Sequence, residues 1–304
     1  MNKLIVLVGL PASGKSTYAK DLAKFPNTIV LSSDAMRKEL LGDETCQENN
    51  QLVFDTLYRR AKLHLIDGYN VVIDATNINM KDRKRTLANF QGLNIERVAI
   101  VFATPIEVCY ARDEQRERTV GKDVIDKFVQ RFEIPMEYEG FNDIIIIESD
   151  EPRYNLNQIK AIMDITEQFN PHHKFPIGIH CNKCYHELFN RTTDVNLQCA
   201  GLWHDIGKLY TKTLDEDGIA HYYSHHNVGA YILLCSNWMK ESLTREIIFY
   251  VNYHMNPFFW KEEKTHEKYK KLFGEKRYNN LMLLNHCDKI ASGTQGDEDG
   301  KIDN

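Results

Sequence analysis

The amino-acid sequence predicts an α/β domain, a parallel sheet flanked by helices, followed by an all-α domain. Short apolar and β-branched segments alternate with helical patterns as far as residue 150, which is typical of parallel strands buried on both faces. Beyond that point the β-branched runs disappear, and apolar residues recur with helical spacing. Histidine usage changes as well, because only His64 precedes residue 172, and the other eleven histidines lie between His172 and His286.

The alternating pattern predicts strands at residues 3–8, 27–31, 71–73, 98–102 and 144–147. Segments between them, including residues 46–67, 81–90 and 105–131, have the apolar spacing of helices. The Ser-Asp-Glu-Pro sequence at 149–152 indicates a boundary. We therefore expect domains at residues 1–150 and 151–292, with a flexible tail at 293–304. In the second domain, residues 218–223 suggest a hairpin.

Size, charge and cysteine content narrow the class of protein. A chain of 304 residues is long enough for two buried cores. The net charge of −5 excludes a globally basic nucleic-acid binder but leaves local basic sites open. No apolar run is long enough to span a membrane, and the seven cysteines favour reduced thiols in the cytoplasm. Cys181 and Cys184 have the CxxC spacing of zinc sites, but no second pair accompanies them.

The segment GLPASGKST, residues 9–17, matches the phosphate-loop pattern G-x-x-x-x-G-K-[ST] between a strand and a helix. Its glycines let backbone N–H groups turn toward phosphate, and the helix N-terminus adds partial positive charge. Lys15 would reach the β and γ phosphates of ATP or another nucleoside triphosphate, and Ser16 would hold Mg²⁺. The predicted nucleotide-binding residues are Gly9, Ser13, Gly14, Lys15, Ser16 and Thr17.

Charged residues follow the second and third predicted strands. If a helix starts at Asp34, then Asp34 and Arg37 share one face. The carboxylate could take the proton of an attacking hydroxyl, and the guanidinium could grip an acceptor phosphate. Asp34 could instead be only a helix N-cap. Asp74 ends the third strand, at the sheet edge where ligands bind, although it too could be a capping residue.

Two further basic groups lie in this half. Arg112 and Arg116, spaced i, i+4, would lie on one helical face and stabilise charge on a transferring phosphoryl group. Their acidic neighbours could equally make this a salt-bridged surface helix. The second group is a basic cluster of Lys81, Arg83, Lys84 and Arg85. It could flank a polyanion or form a solvated helix face.

Together these motifs, GLPASGKST, SSDAMR, VIDATN and the R-x-x-x-R of residues 112–116, resemble the 5′-hydroxyl polynucleotide kinases of phages and RNA-repair systems. The resemblance covers residues 1–150 and implies an α/β P-loop kinase domain. It implies that Asp34 is the general base and that Arg37 binds the acceptor phosphate. It also implies that Asp74 is the acidic strand-end residue and that Arg112 and Arg116 are the paired lid arginines.

The second half contains LWHDIGK at residues 202–208. Adjacent His204 and Asp205 can ligate one metal ion if other elements supply the remaining ligands. Imidazole and carboxylate ligands suit divalent transition ions that activate water, and Lys208 could stabilise phosphate oxygens. A single histidine taken alone would by default be structural.

The order of these residues resembles the HD-domain phosphohydrolases over residues 155–290. The resemblance implies one or two divalent transition ions, such as Mn, Ni, Co, Fe or Zn. Their ligands would be His180, His204, Asp205, His225, His254 and Asp288. His225 is preferred to His226 because it lies four residues before Gly229, the usual spacing in that family. Histidines that match no ligand position are expected to be structural, although His172 and His173 could line the pocket entrance.

The two resemblances predict a bifunctional end-healing enzyme for nucleic acids. An ATP-dependent 5′-hydroxyl kinase would act beside a metal-dependent phosphohydrolase for 2′,3′-cyclic or terminal 2′/3′ phosphates. The expected partners are nucleic-acid ends, of RNA rather than DNA, and an RNA ligase is a candidate protein partner. The oligomeric state is left open. One alternative is a small-molecule or nucleotide kinase fused to an HD nucleotide phosphohydrolase, and another is a nucleotide-gated binding module.

Overall fold

The computed structural model describes residues 1–46, 48–151, 153–236 and 241–293, with the backbone alone at 241–244. The predicted flexible tail, apart from Gly293, lies outside the described residues. The chain forms two units: unit 1 is Met1–Phe128 with Pro135–Pro152, and unit 2 is Val129–Ile134 with Arg153–Asn304. We describe each unit by itself.

Within the described residues, unit 1 contains a five-stranded sheet whose neighbouring strands are all parallel. Strands β1 to β5 are Lys3–Val8, Thr28–Ser32, Asn70–Asp74, Glu96–Ala103 and Asp143–Glu148. Helices α1 to α6 are Lys15–Leu22, Ser33–Leu41, Asn50–Ile66, Met80–Ala88, Ile106–Glu114 and Lys122–Val129. The strand order is β2-β3-β1-β4-β5, which puts β1 in the centre. The predicted α/β fold, a parallel sheet flanked by helices, is confirmed.

The core of unit 1 explains why its strands are apolar. Leu7 of β1, Val72 of β3 and Ile100 of β4 pack with Ala19 of α1, and each is almost fully buried. Burying a side chain of this kind stabilises the fold by about 1.5–3 kcal/mol. Because β1 is hydrogen-bonded on both sides, its carboxyl end has a fixed position, and the predicted phosphate loop starts there.

In unit 2 the described elements are helices and one hairpin. Helices α7 to α15 are Leu156–Ile165, Ile177–Phe189, Val195–Trp203, Lys208–Thr211, His225–Leu234, Glu241–Tyr253, Asn256–Phe259, Glu263–Phe273 and Glu275–Ala291. The hairpin pairs β6, Thr213–Leu214, with β7, Ala220–His221. Helix α8 packs against α7, α9 and α15, and α11 packs against α12. Among the residues that the structure describes, no helix is long and apolar enough to cross a lipid bilayer.

The segment 129–134 was expected in the first domain but packs within unit 2. The Asn252 side chain accepts a hydrogen bond from Ile134 N at 2.9 Å and donates one to the Phe132 carbonyl at 2.9 Å. The Phe132 ring lies edge-on to Tyr231, with the ring centroids 5.1 Å apart. The buried Asn252 amide therefore satisfies backbone groups that helical spacing alone does not reveal.

A buried ion pair fixes α4 within unit 1. Arg83 Nε and Nη2 each donate to a carboxylate oxygen of Glu139 at 2.8 Å, and both side chains are fully buried. Arg83 Nη1 also donates to the carbonyl of Asn77 at 3.1 Å. One of the four residues in the predicted basic cluster therefore stabilises the fold and does not face solvent.

We expect Arg83→Met to destabilise unit 1 by about 3–5 kcal/mol, because the substitution leaves the Glu139 carboxylate buried without its partner. Urea unfolding followed by circular dichroism measures this change. Tryptophan fluorescence would not report on unit 1, because all three tryptophans follow residue 200. The control is Lys84→Met on the exposed face of the same helix, which should change the unfolding free energy little. Equal effects of the two substitutions would contradict this role of the ion pair.

Candidate functional site

The phosphate loop joins the end of β1 to the start of α1. Gly14 has a φ of +98°, a left-handed conformation that L side chains rarely adopt. A Cβ on Gly9 would lie 2.8 Å from Ser13 Oγ and 3.1 Å from Phe102 Cβ, so this position needs glycine for the loop to pack on the sheet. Ser13 Oγ is buried and has no hydrogen-bond partner among the described residues, which fits a loop that binds phosphate.

Three polar groups lie together at this edge of the sheet. Lys15 Nζ donates to the carbonyls of Gly9, at 3.0 Å, and Leu10. Burial lowers the pKa of Lys15 to about 8, and the Asp74 carboxylate opposes that shift. Burial raises the pKa of Asp74, while the hydrogen bond from the Ser16 hydroxyl and the Lys15 ammonium oppose the rise. An ammonium, a hydroxyl and a carboxylate are the groups that a nucleotide and its Mg²⁺ require.

Neighbouring strand ends hold the phosphate loop in place. Gly9 N donates to the Thr76 carbonyl at 3.1 Å, and Asn77 Nδ2 donates to the Leu7 carbonyl at 2.9 Å. On the other side, Thr104 Oγ1 donates to the Ser13 carbonyl at 3.0 Å. Within the VIDATN motif, Asp74 therefore belongs to the site, whereas Asn77 positions the loop.

Asp34 and Arg37 lie on the first turn of α2 and form an ion pair, with Arg37 Nη1 2.8 Å from Asp34 Oδ1. Ser32 is the helix N-cap and accepts from Ala35 N, so the alternative that Asp34 is only an N-cap is wrong. Arg37 is buried and also donates to Asn50 Oδ1 from Nε and Nη2. The Asp34 side chain is 59% exposed, so its carboxylate can reach an incoming hydroxyl.

A cavity of about 540 Å³ opens beside Arg37. Its lining includes Phe54 and Arg85, and the guanidinium carbons of Arg37 and Arg85 lie 5.9 and 5.4 Å from the centroid of the Phe54 ring. Two cations around one aromatic ring suit a ligand that combines phosphate with aromatic groups. No sequence signal distinguishes Phe54, because a lone phenylalanine in a helical pattern looks like a core residue.

The predicted lid arginines differ from expectation in one respect. Helix α5 ends at Glu114, so Arg116 lies past the helix end and not one turn beyond Arg112 on the same face. The chain turns there because the Asp113 carboxylate accepts hydrogen bonds from Val120 N and Gly121 N. Arg112 still lies near the phosphate loop, since a Cβ on Gly14 would be 3.8 Å from Arg112 Nη1.

In unit 2 the six predicted metal ligands converge in two sets. The first set is His180, His204 and Asp288, and the second is Asp205, His225 and His254. Within each set the candidate ligand atoms lie within 4.8 Å of one another, and all six residues are buried. His225 Nε2 lies 3.2 Å from His254 Nε2, and His226 is in neither set, in agreement with the preference for His225.

Asp205 lies between the two sets. Its Oδ2 is 3.4 Å from Nε2 of both His180 and His204. Its Oδ1 is 3.2 Å from Nε2 of His225 and 3.8 Å from Nε2 of His254. The carboxylate therefore has one oxygen toward each set and could bridge two ions.

The ring orientations also fit metal binding. Nδ1 of His204, His225 and His254 each lies 2.8 Å from a backbone carbonyl oxygen, in the turn that precedes each histidine. A hydrogen bond from Nδ1 to a carbonyl leaves the Nε2 lone pair free to face an ion. Imidazole and carboxylate donors in this number suit a divalent transition ion.

Lys208 lies 2.7 Å from Asp205 Oδ2 and also contacts Gln168 and His173. Burial raises the pKa of Asp205, but the Lys208 ammonium and the His204 ring lower it by more, so it stays well below its usual value. Burial and the Lys208 ammonium lower the pKa of His173 to about 3, and its ring centroid lies 4.9 Å from that of His180. The two expectations for His173 are a structural role or a place at the pocket entrance, and its ring lies 3.2 Å from Lys208 Nζ.

The comparisons with known proteins concern mainly the first half of the chain. Residues 4–135 match the family model described as an AAA domain. The L-seryl-tRNA(Sec) kinase of Methanococcus maripaludis is 24% identical over 180 residues, which cover 55% of this chain and 67% of that protein. A UPF0200 protein of Methanosarcina acetivorans is 28% identical over 150 residues, which cover 44% and 76%.

Among solved structures, the Pnkp1/Rnl/Hen1 RNA repair complex is similar at 24% identity with a TM-score of 0.40. The alignment covers 43% of this chain and 43% of that one, so the match spans less than half of the protein in the complex. The phosphate-loop geometry and the match to the AAA domain model together indicate that unit 1 is an α/β domain with a P-loop.

At position 207 of the HDIGK motif, the surrounding backbone leaves no room for a side chain. A Cβ there would lie 2.0 Å from the His225 carbonyl oxygen and 2.6 Å from Gly229 N, both backbone atoms that cannot move aside alone. We therefore expect Gly207→Ala to displace α11, to destabilise unit 2 by at least about 1–3 kcal/mol and to weaken metal binding. Tryptophan fluorescence during urea unfolding and the bound-metal content measure these effects.

The control is Gly218→Ala, where nothing lies within 4 Å of an added Cβ. Its φ of +78° predicts only local strain of about 1–2 kcal/mol and an unchanged metal content. If Gly207→Ala retained its metal as Gly218→Ala does, the packing explanation would be wrong.

Proposed function

We propose that this chain is a bifunctional enzyme that heals nucleic-acid ends. Unit 1 would be an ATP-dependent 5′-hydroxyl polynucleotide kinase, and unit 2 would hydrolyse a 2′,3′-cyclic or terminal 2′/3′ phosphate. The observation on which the proposal rests is the Asp34–Arg37 pair beside the cavity that contains Phe54 and Arg85. A nucleic-acid end offers a hydroxyl, a phosphate and aromatic bases, and so it would engage all four side chains.

In the kinase reaction, the oxygen of the 5′-hydroxyl would attack the γ-phosphorus of ATP and ADP would leave. Asp34 would accept the proton of that hydroxyl. Arg37 would bind the next phosphate of the acceptor strand. Lys15 would stabilise negative charge on the β and γ phosphates, with Arg112 and Arg116 closing from the other side. Ser16 and Asp74 would hold the Mg²⁺ of the nucleotide, which supplies charge neutralisation when bound.

In the hydrolytic reaction, the buried His and Asp cluster would hold one or two divalent ions, which supply an activated water when bound. Lys208 would bind a phosphate oxygen of the substrate. Asp205 would fix the positions of the two ligand sets relative to each other, because Oδ2 lies near His180 of the first set and Oδ1 lies near His225 of the second. Hydrolysis of a 2′,3′-cyclic phosphate leaves a 2′ or 3′ phosphate monoester, and hydrolysis of that monoester releases phosphate and leaves the free hydroxyl. The resulting 3′-hydroxyl and the 5′-phosphate made by the kinase are what a ligase joins, so RNA ends and an RNA ligase are the proposed partners.

A second candidate is a kinase for a smaller acceptor or for a hydroxyl carried on a transfer RNA. The observation that favours it is the similarity to L-seryl-tRNA(Sec) kinase over 180 residues. A small acceptor without its own phosphate would not need the Arg37 guanidinium, whereas a polynucleotide end or a transfer RNA would offer it a phosphate.

We expect the full chain to transfer the γ-phosphate of ATP to a 5′-hydroxyl RNA oligonucleotide faster than to nucleosides or sugars. Asp34→Asn should lower kcat by about 10²–10⁴-fold, because the amide cannot accept the proton, while nucleotide binding persists. Radiolabel transfer measures the rate. Glu39→Gln, on an exposed position of the same helix, should keep the wild-type rate. Transfer to nucleosides but to no oligonucleotide would refute the polynucleotide assignment.

For unit 2, we expect Asp205→Asn to abolish opening or removal of a 2′,3′-cyclic phosphate on RNA while kinase activity persists. A chelator should also abolish hydrolysis by the wild-type chain, and addition of a divalent transition ion should restore it. Kinase activity is not compared in the presence of chelator, because the chelator also removes the Mg²⁺ of the nucleotide. Chromatography of the RNA ends measures this. The control is Asp217→Asn in the exposed turn of the hairpin. Unchanged hydrolysis by the Asp205 variant would exclude this cluster as the active site.

A further inference from the structure

The cysteine pair on α8 has no role in the reactions described so far. Cys181 and Cys184 are both fully buried, one helical turn apart. Cys181 directly follows the candidate metal ligand His180. Because the CxxC pair has no second pair to complete a zinc site, a metal-binding role for Cys181 needs partners from other elements.

Those partners are present at the histidine cluster. Cys181 Sγ, a ring nitrogen of His204 and a carboxylate oxygen of Asp205 lie within 4.8 Å of one another. This third donor set shares His204 with the first set and Asp205 with the second. Cys184 belongs to none of the donor sets found among the described residues, although it is equally buried. The position of Cys181, and not burial alone, therefore distinguishes it.

We propose that Cys181 is a thiolate ligand at this metal centre and that the centre prefers thiophilic divalent ions. This inference rests on the proposed metal centre of unit 2. Zn²⁺ or Co²⁺ would be bound by Cys181, His204 and Asp205, and the thiol releases its proton to solvent as the metal–sulfur bond forms. Oxygen-preferring ions such as Mn²⁺ would instead use the sets without sulfur. The thiol thus gives the site a means of selecting its metal.

Cobalt spectroscopy on the full-length apoprotein tests the proposal. With Co²⁺ added, the wild type should show visible d–d bands together with a near-ultraviolet thiolate-to-cobalt charge-transfer band. Cys181→Ser should lose the charge-transfer band and keep the visible bands, and the matched control Cys184→Ser should keep both. A charge-transfer band that persists in Cys181→Ser, or that is absent from the wild type, would overturn the proposal.

The same experiment separates this inference from the proposed function. Visible bands without a charge-transfer band would leave the metal centre standing and remove only the thiolate ligand, whereas the absence of any cobalt spectrum would contradict both. If Cys181→Ser does not fold, X-ray absorption of the wild type with one equivalent of Zn²⁺ decides. We expect a sulfur shell at about 2.3 Å, and a shell of nitrogen and oxygen alone at about 2.0–2.2 Å would refute the ligand.

Discussion

The removal of charged side chains from water is the constraint on which both units depend. Each buried ion costs several kcal/mol unless an opposite charge or a metal compensates for the lost solvation. In unit 1, Arg83 meets Glu139 and Lys15 lies near Asp74, while in unit 2 Asp205 meets Lys208. The Arg83–Glu139 pair joins distant segments of unit 1, whereas the Lys15–Asp74 and Lys208–Asp205 pairs consist of candidate site residues, so there the compensation of buried charge also positions the site.

The two sites meet this constraint in different ways. Around the phosphate loop, the buried Lys15 ammonium donates to the carbonyls of Gly9 and Leu10, and the buried Ser13 hydroxyl has no hydrogen-bond partner among the described residues. In the histidine cluster, ring nitrogens and carboxylate oxygens lie close together, since His180 Nε2 lies 3.1 Å from His204 Nε2 and 2.9 Å from Asp288 Oδ1. Lone pairs at such separations repel one another unless a proton or a metal ion lies between them. The chemical complement of the first site is therefore an anion, and that of the second is a cation.

Local pattern predicted much of this architecture, and it failed where distant residues decided the outcome. Apolar strand patterns located β1 to β5, because a run of apolar residues is visible in a short segment. The central strands β1, β3 and β4 are largely buried, whereas the edge strands β2 and β5 are partly exposed. The i, i+4 argument for Arg112 and Arg116 assumed a continuous helix. It was wrong because Asp113 binds the backbone N–H groups of Val120 and Gly121 and the helix ends first. The segment 129–134 was likewise assigned to the wrong side of the boundary, because its partner Asn252 lies more than a hundred residues away.

Residue types at fixed local spacing or order are enough to predict the parallel sheet, the phosphate loop and the ordered set of histidines and aspartates. Packing over long distances in the chain buries Arg83 while Arg85 lines the cavity, and it brings His173 and Cys181 beside the histidine cluster. The physical reason is that helix and strand periods specify which face a side chain occupies. Which other element packs against that face depends on the packing of the whole unit.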